Sequence, residues 1–209
     1  MSTLDKIAFF QNRRDEVPNQ ILAKELAETK NVDGIREIAA NLENKNKNIR
    51  SDCLKVLYEI GYLDPGLIAD YWSAFLDLLK SKDNRMVWGS LIGLATIADL
   101  HAHEIWGQID HVINAVINGT VISQVWGIRA LARVAAADQK YEQKIFPILL
   151  SQIRGCLPRD VPTHAESILV AVDQKNKKEL MNLLESRRAE LTPAQLTRFR
   201  KVLRSLESI

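Results

Sequence analysis

Punctuating and cross-linking residues are scarce in this chain. Its two cysteines, Cys53 and Cys156, are too few for a disulfide framework or a metal knuckle. Each lies in or beside a helix-like pattern, so both are expected to be reduced thiols of a cytoplasmic protein. Nine glycines and six prolines are few for 209 residues. No glycine-rich segment of the kind that cradles a phosphate or a dinucleotide is present, and no serine sits in a G-x-S-x-G elbow. Alternating apolar and polar runs are missing as well. Asn118-Gly119 falls between two helical patterns rather than between strands, which excludes a hairpin-based β fold. No stretch approaches the roughly 18 consecutive apolar residues of a membrane span, so no membrane contact is expected. The opening MSTLDKIAFFQNRRDEVPN sets charges on both sides of a short apolar run and does not read as a secretory signal.

What is present is the composition of a globular chain, 46% hydrophobic and 26% charged. Pro18, Pro65, Pro162 and Pro193 each precede apolar residues spaced by three and four, the first-turn position that proline tolerates best. Proline is therefore expected at helix starts and not inside helices, and the chain reads as all-α. The net charge of +2 is unevenly spread: residues 174–209 hold nine Lys and Arg against four Asp and Glu, and the remainder holds 19 against 22. Such a basic end is ordinarily the solvated face of terminal helices; contact with nucleic acid or an acidic partner is the alternative.

The helices repeat at a stride of 37 residues. Leu54, Leu57 and Ile60 map onto Leu91, Leu94 and Ile97, then Ile128, Leu131 and Val134, then Ala165, Ile168 and Ala171. The preceding helices obey the same rule: Ile35, Ile38, Ala39 and Leu42 map onto Trp72, Phe75, Leu76 and Leu79, then Ile109, Val112, Ile113 and Val116, then Phe146, Leu149, Leu150 and Ile153. Self-similarity at this spacing marks a solenoid of helix pairs, each burying a face on the next because it cannot close a core alone. The string VWG occurs twice, but 38 residues apart, one residue out of phase. One residue is about 100° of helical rotation, so Trp88 and Trp126 are expected to face different directions.

Small residues recur in the second helices: Cys53, Ser90 and Gly127, then Gly93, Ala130 and Ser167, each set followed by Leu57, Leu94, Leu131 or Ile168. With NIRSDC at 48–53 opening one such helix, the pattern over about 35–172 resembles the HEAT repeat of the HEAT/armadillo superfamily, whose second helix has the form V-R-x-x-A-x-x-A-L. The arginine position reads Val87 and Gln124 in other copies. The resemblance implies a right-handed α-α superhelix of about five helix pairs. The expected organisation is one domain over 1–209, with an N-terminal cap at 1–32, four repeats at 33–173 and a basic cap at 174–209. The first cap is read as a short helix at 3–13 opened by Ser2-x-x-Asp5, then a helix at 18–30; the second ends in a helix capped by Thr192.

Asp99, His101, His103, Glu104, Asp110 and His111 are metal-type residues but read as polar turn residues, so neither metal nor cofactor is expected. Opposite the apolar stripe of the second helices, in solenoids of this type usually the concave side, three rows remain. They are Asp52, Gly89, Trp126 and Thr163; Lys55, Ile92, Arg129 and Glu166; and Glu59, Thr96, Arg133 and Val170. Tryptophan and arginine are the residue types that anchor binding sites. The expected function is a noncatalytic scaffold holding a protein or peptide through Asp52, Lys55, Glu59, Ile92, Trp126, Arg129, Arg133 and Glu166. The alternative is a DNA-binding protein or a DNA glycosylase, since architecture and size are similar to the HEAT-like alkylpurine DNA glycosylases. These are implied to hold DNA on a basic concave face, with aromatics and an acid around the base.

Overall fold

The computed structural model describes residues 2–209. Among them there are twelve α-helices and no strand: α1 (Val17–Thr29), α2 (Val32–Ala40), α3 (Lys47–Leu63), α4 (Trp72–Leu78), α5 (Asn84–Ile97), α6 (Ala102–Trp106), α7 (Ile109–Ile117), α8 (Val121–Ala137), α9 (Gln139–Gly155), α10 (Val161–Ile168), α11 (Lys177–Arg187) and α12 (Pro193–Ser208). Helix starts follow their caps. Asn31, Asn46, Asp83 and Asp138 each accept a backbone N–H of the first turn, and Thr192 with Gln195 closes a capping box ahead of Pro193. Each such cap contributes about 1 kcal/mol. Helix α1 ends where Lys30 turns left-handed at φ 49°. Two expectations fail locally. Residues 3–13 form a single 3-10 turn at Leu4–Lys6 and further turns, not a helix. Pro147 lies inside α9. It withdraws the N–H that would bond the Gln143 carbonyl, but Gln143 is exposed and water can serve it.

The helices of the repeat pair as α2/α3, α4/α5, α7/α8, α9/α10 and α11/α12, an α-solenoid. Of the positions at the 37-residue stride, Ala39, Trp72 and Leu79 are half-buried and every other one is buried. Burying a Leu, Ile or Phe side chain contributes about 1.5–3 kcal/mol, so the stripe is the main source of stability. The chain divides into two compact units, Met1–Gly127 and Ile128–Ile209.

In the first unit the small residues are where partner side chains press in. A Cβ on Gly93 would stand 2.9 Å from ring atoms of Phe75, joining α4 to α5; one on Gly127 would stand 2.2 Å from Val116 Cγ2, joining α7 to α8. Cys53 is fully buried, and burial pushes its thiol up to about 12, which leaves it unreactive. In the second unit α10 lies against α9 and α12, and α11 against α9. Arg187 closes the end of α9: Nη1 donates to the carbonyls of Ile153 (2.5 Å) and Arg154 (2.9 Å), and Nη2 to that of Cys156 (2.9 Å). Glu190 accepts two further bonds from the same guanidinium, so the group is fixed in place. Cys156, at the end of α9, is half-buried.

His164 on α10 is 2% exposed, and its Nδ1 has no hydrogen-bond partner. Burial lowers its pKa below the usual 6.5, opposed by the nearby Asp160 charge. The unfolded chain therefore takes up a proton that the native state resists.

Gly127→Ala is expected to destabilise by about 1–3 kcal/mol because Val116 is short and branched and cannot swing aside. Gly155→Ala, with nothing within 4 Å of its added Cβ, is expected to be neutral or stabilising by less than about 1 kcal/mol; urea unfolding measures both. As pH falls from 6.5 toward the lowered native pKa of His164, stability is expected to drop, and His164→Leu to remove that part of the slope in urea titrations across the window.

Candidate functional site

The rows on the second helices are not uniformly open. In the first unit the N-terminal segment ties down their beginning. Asp52 accepts from the Phe9 backbone N–H (2.8 Å) and from Asn19 Nδ2 (3.0 Å), while the fully buried Asn19 accepts from the Ala8 N–H (2.9 Å). Lys55 is 9% exposed and pairs with Glu59 (2.7 Å) and Glu16 (2.9 Å), its Nζ lying 5.0 Å from the Tyr58 ring centre. Burial alone would lower its pKa; Glu59 and Glu16 outweigh that and hold the ammonium charged. Ile92 is buried, and Leu54 and Tyr58 pack against Gly89. Of the expected contact residues, Asp52 is half-buried and Lys55 and Ile92 are buried, not exposed, and their groups serve the junction between the N-terminal segment and α3, or the core.

The same face carries an aromatic chain that periodicity alone does not reveal. Trp88 lies 6.3 Å from Tyr58, Tyr58 6.1 Å from Tyr62, and Tyr62 5.7 Å from Trp126, measured between ring centres. The two tryptophans, expected to face different directions, both reach tyrosines of α3, one turn apart. Tyr62 and Leu63 remain 46% and 57% exposed, and Trp126 is half-buried. Sequence reasoning missed Tyr58 and Tyr62, although their i,i+4 spacing on a helix was a usable signal. Burial pushes the Tyr58 hydroxyl up to about 12, so it stays protonated.

In the second unit Arg129 Nε lies 3.4 Å from Ser167 Oγ, and Arg133 is half-buried. Glu166 is engaged by Arg198 of α12: Nε donates at 2.5 Å, Nη2 donates to the other carboxylate oxygen, and Nη1 reaches Thr163 Oγ1 at 2.9 Å. Glu166 is thus part of the packing of α12 on α10. Val170 is 51% exposed and borders a groove of about 410 Å³ with Ala135, Val172, Asp138, Glu142 and Asp173. Asp138 already accepts a backbone N–H at the start of α9, Asp173 accepts two in the turn ahead of α11, and Glu142 accepts from Asn176.

The histidine-rich segment does not converge. His101 stacks on Trp72 (ring centres 6.3 Å apart) and stands 3.4 Å from Glu104, while His103 on α6 and His111 on α7 are exposed. Among the described residues no three His, Cys, Asp or Glu side chains form a metal-sized group, and no helix is long and apolar enough to cross a membrane.

No known family model matches the sequence, and no curated protein matches it. Solved structures do. A designed armadillo repeat protein in complex with the peptide (KR)4 superposes with a TM-score of 0.69 at 12% identity, over 90% of this chain and 86% of that one. A second designed armadillo repeat protein gives 0.66 at 11% identity, over 98% of each chain. Computationally designed armadillo repeat proteins for modular peptide recognition give 0.65 at 12% identity, over 91% of this chain and 94% of theirs. The chain therefore has the armadillo/HEAT-type helical repeat fold.

Breaking the Lys55 pairs gives a test of their structural role. Lys55→Met is expected to destabilise by about 1–2 kcal/mol, less than the 3–5 typical of a fully buried pair, because Glu16 and Glu59 keep access to water; urea unfolding reads it.

Proposed function

We propose that the protein is a noncatalytic cytoplasmic adaptor that captures a segment of another protein on the exposed side of its second helices, without a cofactor. The observation that carries this is the aromatic pair Tyr62 and Trp126, presented beside the exposed Leu63 on a repeat fold whose designed counterparts recognise peptides. Large rigid aromatics lose little entropy when they are covered, which suits them to anchor a partner. On α8, Arg129 and Arg133 follow Trp126 by three and seven residues, the spacing of one helix face. The partner segment that fits sets an apolar side chain against Tyr62 and Trp126 and carboxylates along α8. That chemistry is opposite in sign to the (KR)4 peptide of the designed protein. The DNA glycosylase alternative is less well served, since it needs an acid open to a base, and Asp52, Glu59 and Glu166 are each bonded to neighbouring side chains.

Selection of a random peptide library on the full chain is expected to enrich sequences that combine an aromatic or aliphatic residue with Asp or Glu. Trp126→Ala with Arg129→Ala is expected to weaken the selected peptides at least about tenfold, a loss of about 1.4 kcal/mol, with helicity by circular dichroism unchanged. Enrichment of basic peptides, or unchanged affinity in the double variant, puts the partner surface elsewhere.

A further inference from the structure

We propose that the outer face of α12, with the lysines at the start of α11, is a docking surface for the phosphate backbone of a nucleic acid. The second unit holds 15 Lys and Arg against nine Asp and Glu, whereas the first holds 13 against 17. Within the second unit, three arginines of the last two helices are already engaged: Arg187 with Glu190, Arg188 with Glu185 and Arg198 with Glu166. What is left over is five cations against two exposed acids, Glu179 and Glu207. Lys178, Arg200, Lys201 and Arg204 are exposed, Lys177 is half-buried, and none of them forms an ion pair. Gln174 Nε2 donates to the Ile209 carbonyl, which sets the turn ahead of α11 beside the end of α12.

This arrangement is unfavourable for the helices themselves. Arg200 and Arg204 are like charges at i,i+4, Lys201 and Arg204 at i,i+3, and both spacings repel. Lys177 and Lys178 open α11, the end of a helix where the peptide dipole already places positive charge. A face that needed only to be wet would balance its signs, and α1, the first helix of the first unit, does so: Lys6 pairs with Glu25 and Lys24 with Glu28. Accumulated positive charge on α11 and α12 therefore calls for an anionic partner. Among the described residues of 177–209 no large apolar side chain is exposed. A protein partner would lack a hydrophobic anchor there, and a membrane would receive no apolar wedge. A row of phosphates needs neither, and its recognition is independent of base sequence.

The test is fluorescence anisotropy of the full chain with a labelled DNA duplex, titrated from about 50 mM to about 200 mM salt. Binding is expected at the low end and to weaken steeply across the range. Arg200→Gln, Lys201→Gln and Arg204→Gln together are expected to weaken it at least tenfold and to flatten the logarithmic salt slope by about 2–3, near 0.9 per phosphate contact, with the melting temperature not lowered, since the like-charge pairs are relieved. Lys45→Gln, Lys47→Gln and Lys82→Gln, which remove equal charge from exposed sites of the first unit, are expected to leave binding within twofold. Absence of binding at low salt overturns the proposal. So does equal weakening by the control variant, and so does tighter binding of polyglutamate or of phosphatidylserine vesicles than of the duplex under the same conditions.

Discussion

The constraint on which the structure depends is the distance at which two helices of one pair may approach. Gly93 lets α5 come down on the ring of Phe75, and Gly127 lets α8 come down on Val116. A methyl group at either position would occupy space already filled, and the helices would have to separate. Separation would open the apolar stripe that each pair shares with the next, and that stripe supplies most of the burial. The small residues in the second helices are therefore not neutral spacing. They fix the thickness of each layer, and the 37-residue stride repeats it.

Once the layers are fixed, the terminal segments decide what the second helices can show. In the first unit, residues 7–19 bring a buried amide, Asn19, and a carboxylate, Glu16, to α3; Asp52 and Lys55 are drawn into that junction. In the second unit, α12 brings Arg198 to Glu166 and Thr163 on α10. Each charge so used satisfies a partner that would otherwise be left half-buried and unpaired, a worse outcome for stability than exposure. Polar residues near the termini thus act as fasteners, and the aromatic chain on α3, α5 and α8 is left as the distinctive chemistry of the first unit's face.

The fold was legible in the sequence because burial is periodic and the period is long. Leu54, Leu91 and Ile128 are all core, and their positions could be counted without knowing what they touch. A cap residue made the start of α12 legible at Thr192, whereas the Ser2-x-x-Asp5 pattern announced a helix that residues 3–13 do not form. Pro147 misled because proline rules describe the local hydrogen-bond ladder, whereas the stripe of Tyr141, Ile145 and Leu149 holds α9 together from both sides of it. The site was less legible for a related reason. Periodicity tells which side of a helix turns away from its own pair, but not what a non-repeating segment lays over that side. Residues 7–19 fall outside the 37-residue stride, so nothing in the rows signalled that Asp52 and Lys55 would be covered. The tyrosines escaped because Tyr58 and Tyr62 have no aromatic counterpart one stride on, where Ala95 and Asp99 stand.

Asymmetry between the ends of the chain follows from the same physics. A solenoid must finish at each end with a helix whose outer side meets water, and many sequences satisfy that requirement. Helix α1 meets it with paired opposite charges and keeps Val17 and Ile21 exposed, so its outer side is close to neutral. Helix α12 meets it with Arg200, Lys201 and Arg204 against one exposed acid, Glu207, although the mutual repulsion of the cations works against the helix that carries them. Since solvent exposure can be achieved without that repulsion, solvation does not account for the choice of sign. An excess of like charge that burdens its own helix is the pattern an anionic partner would relieve, and without an apolar neighbour these cations have only charge to offer such a partner.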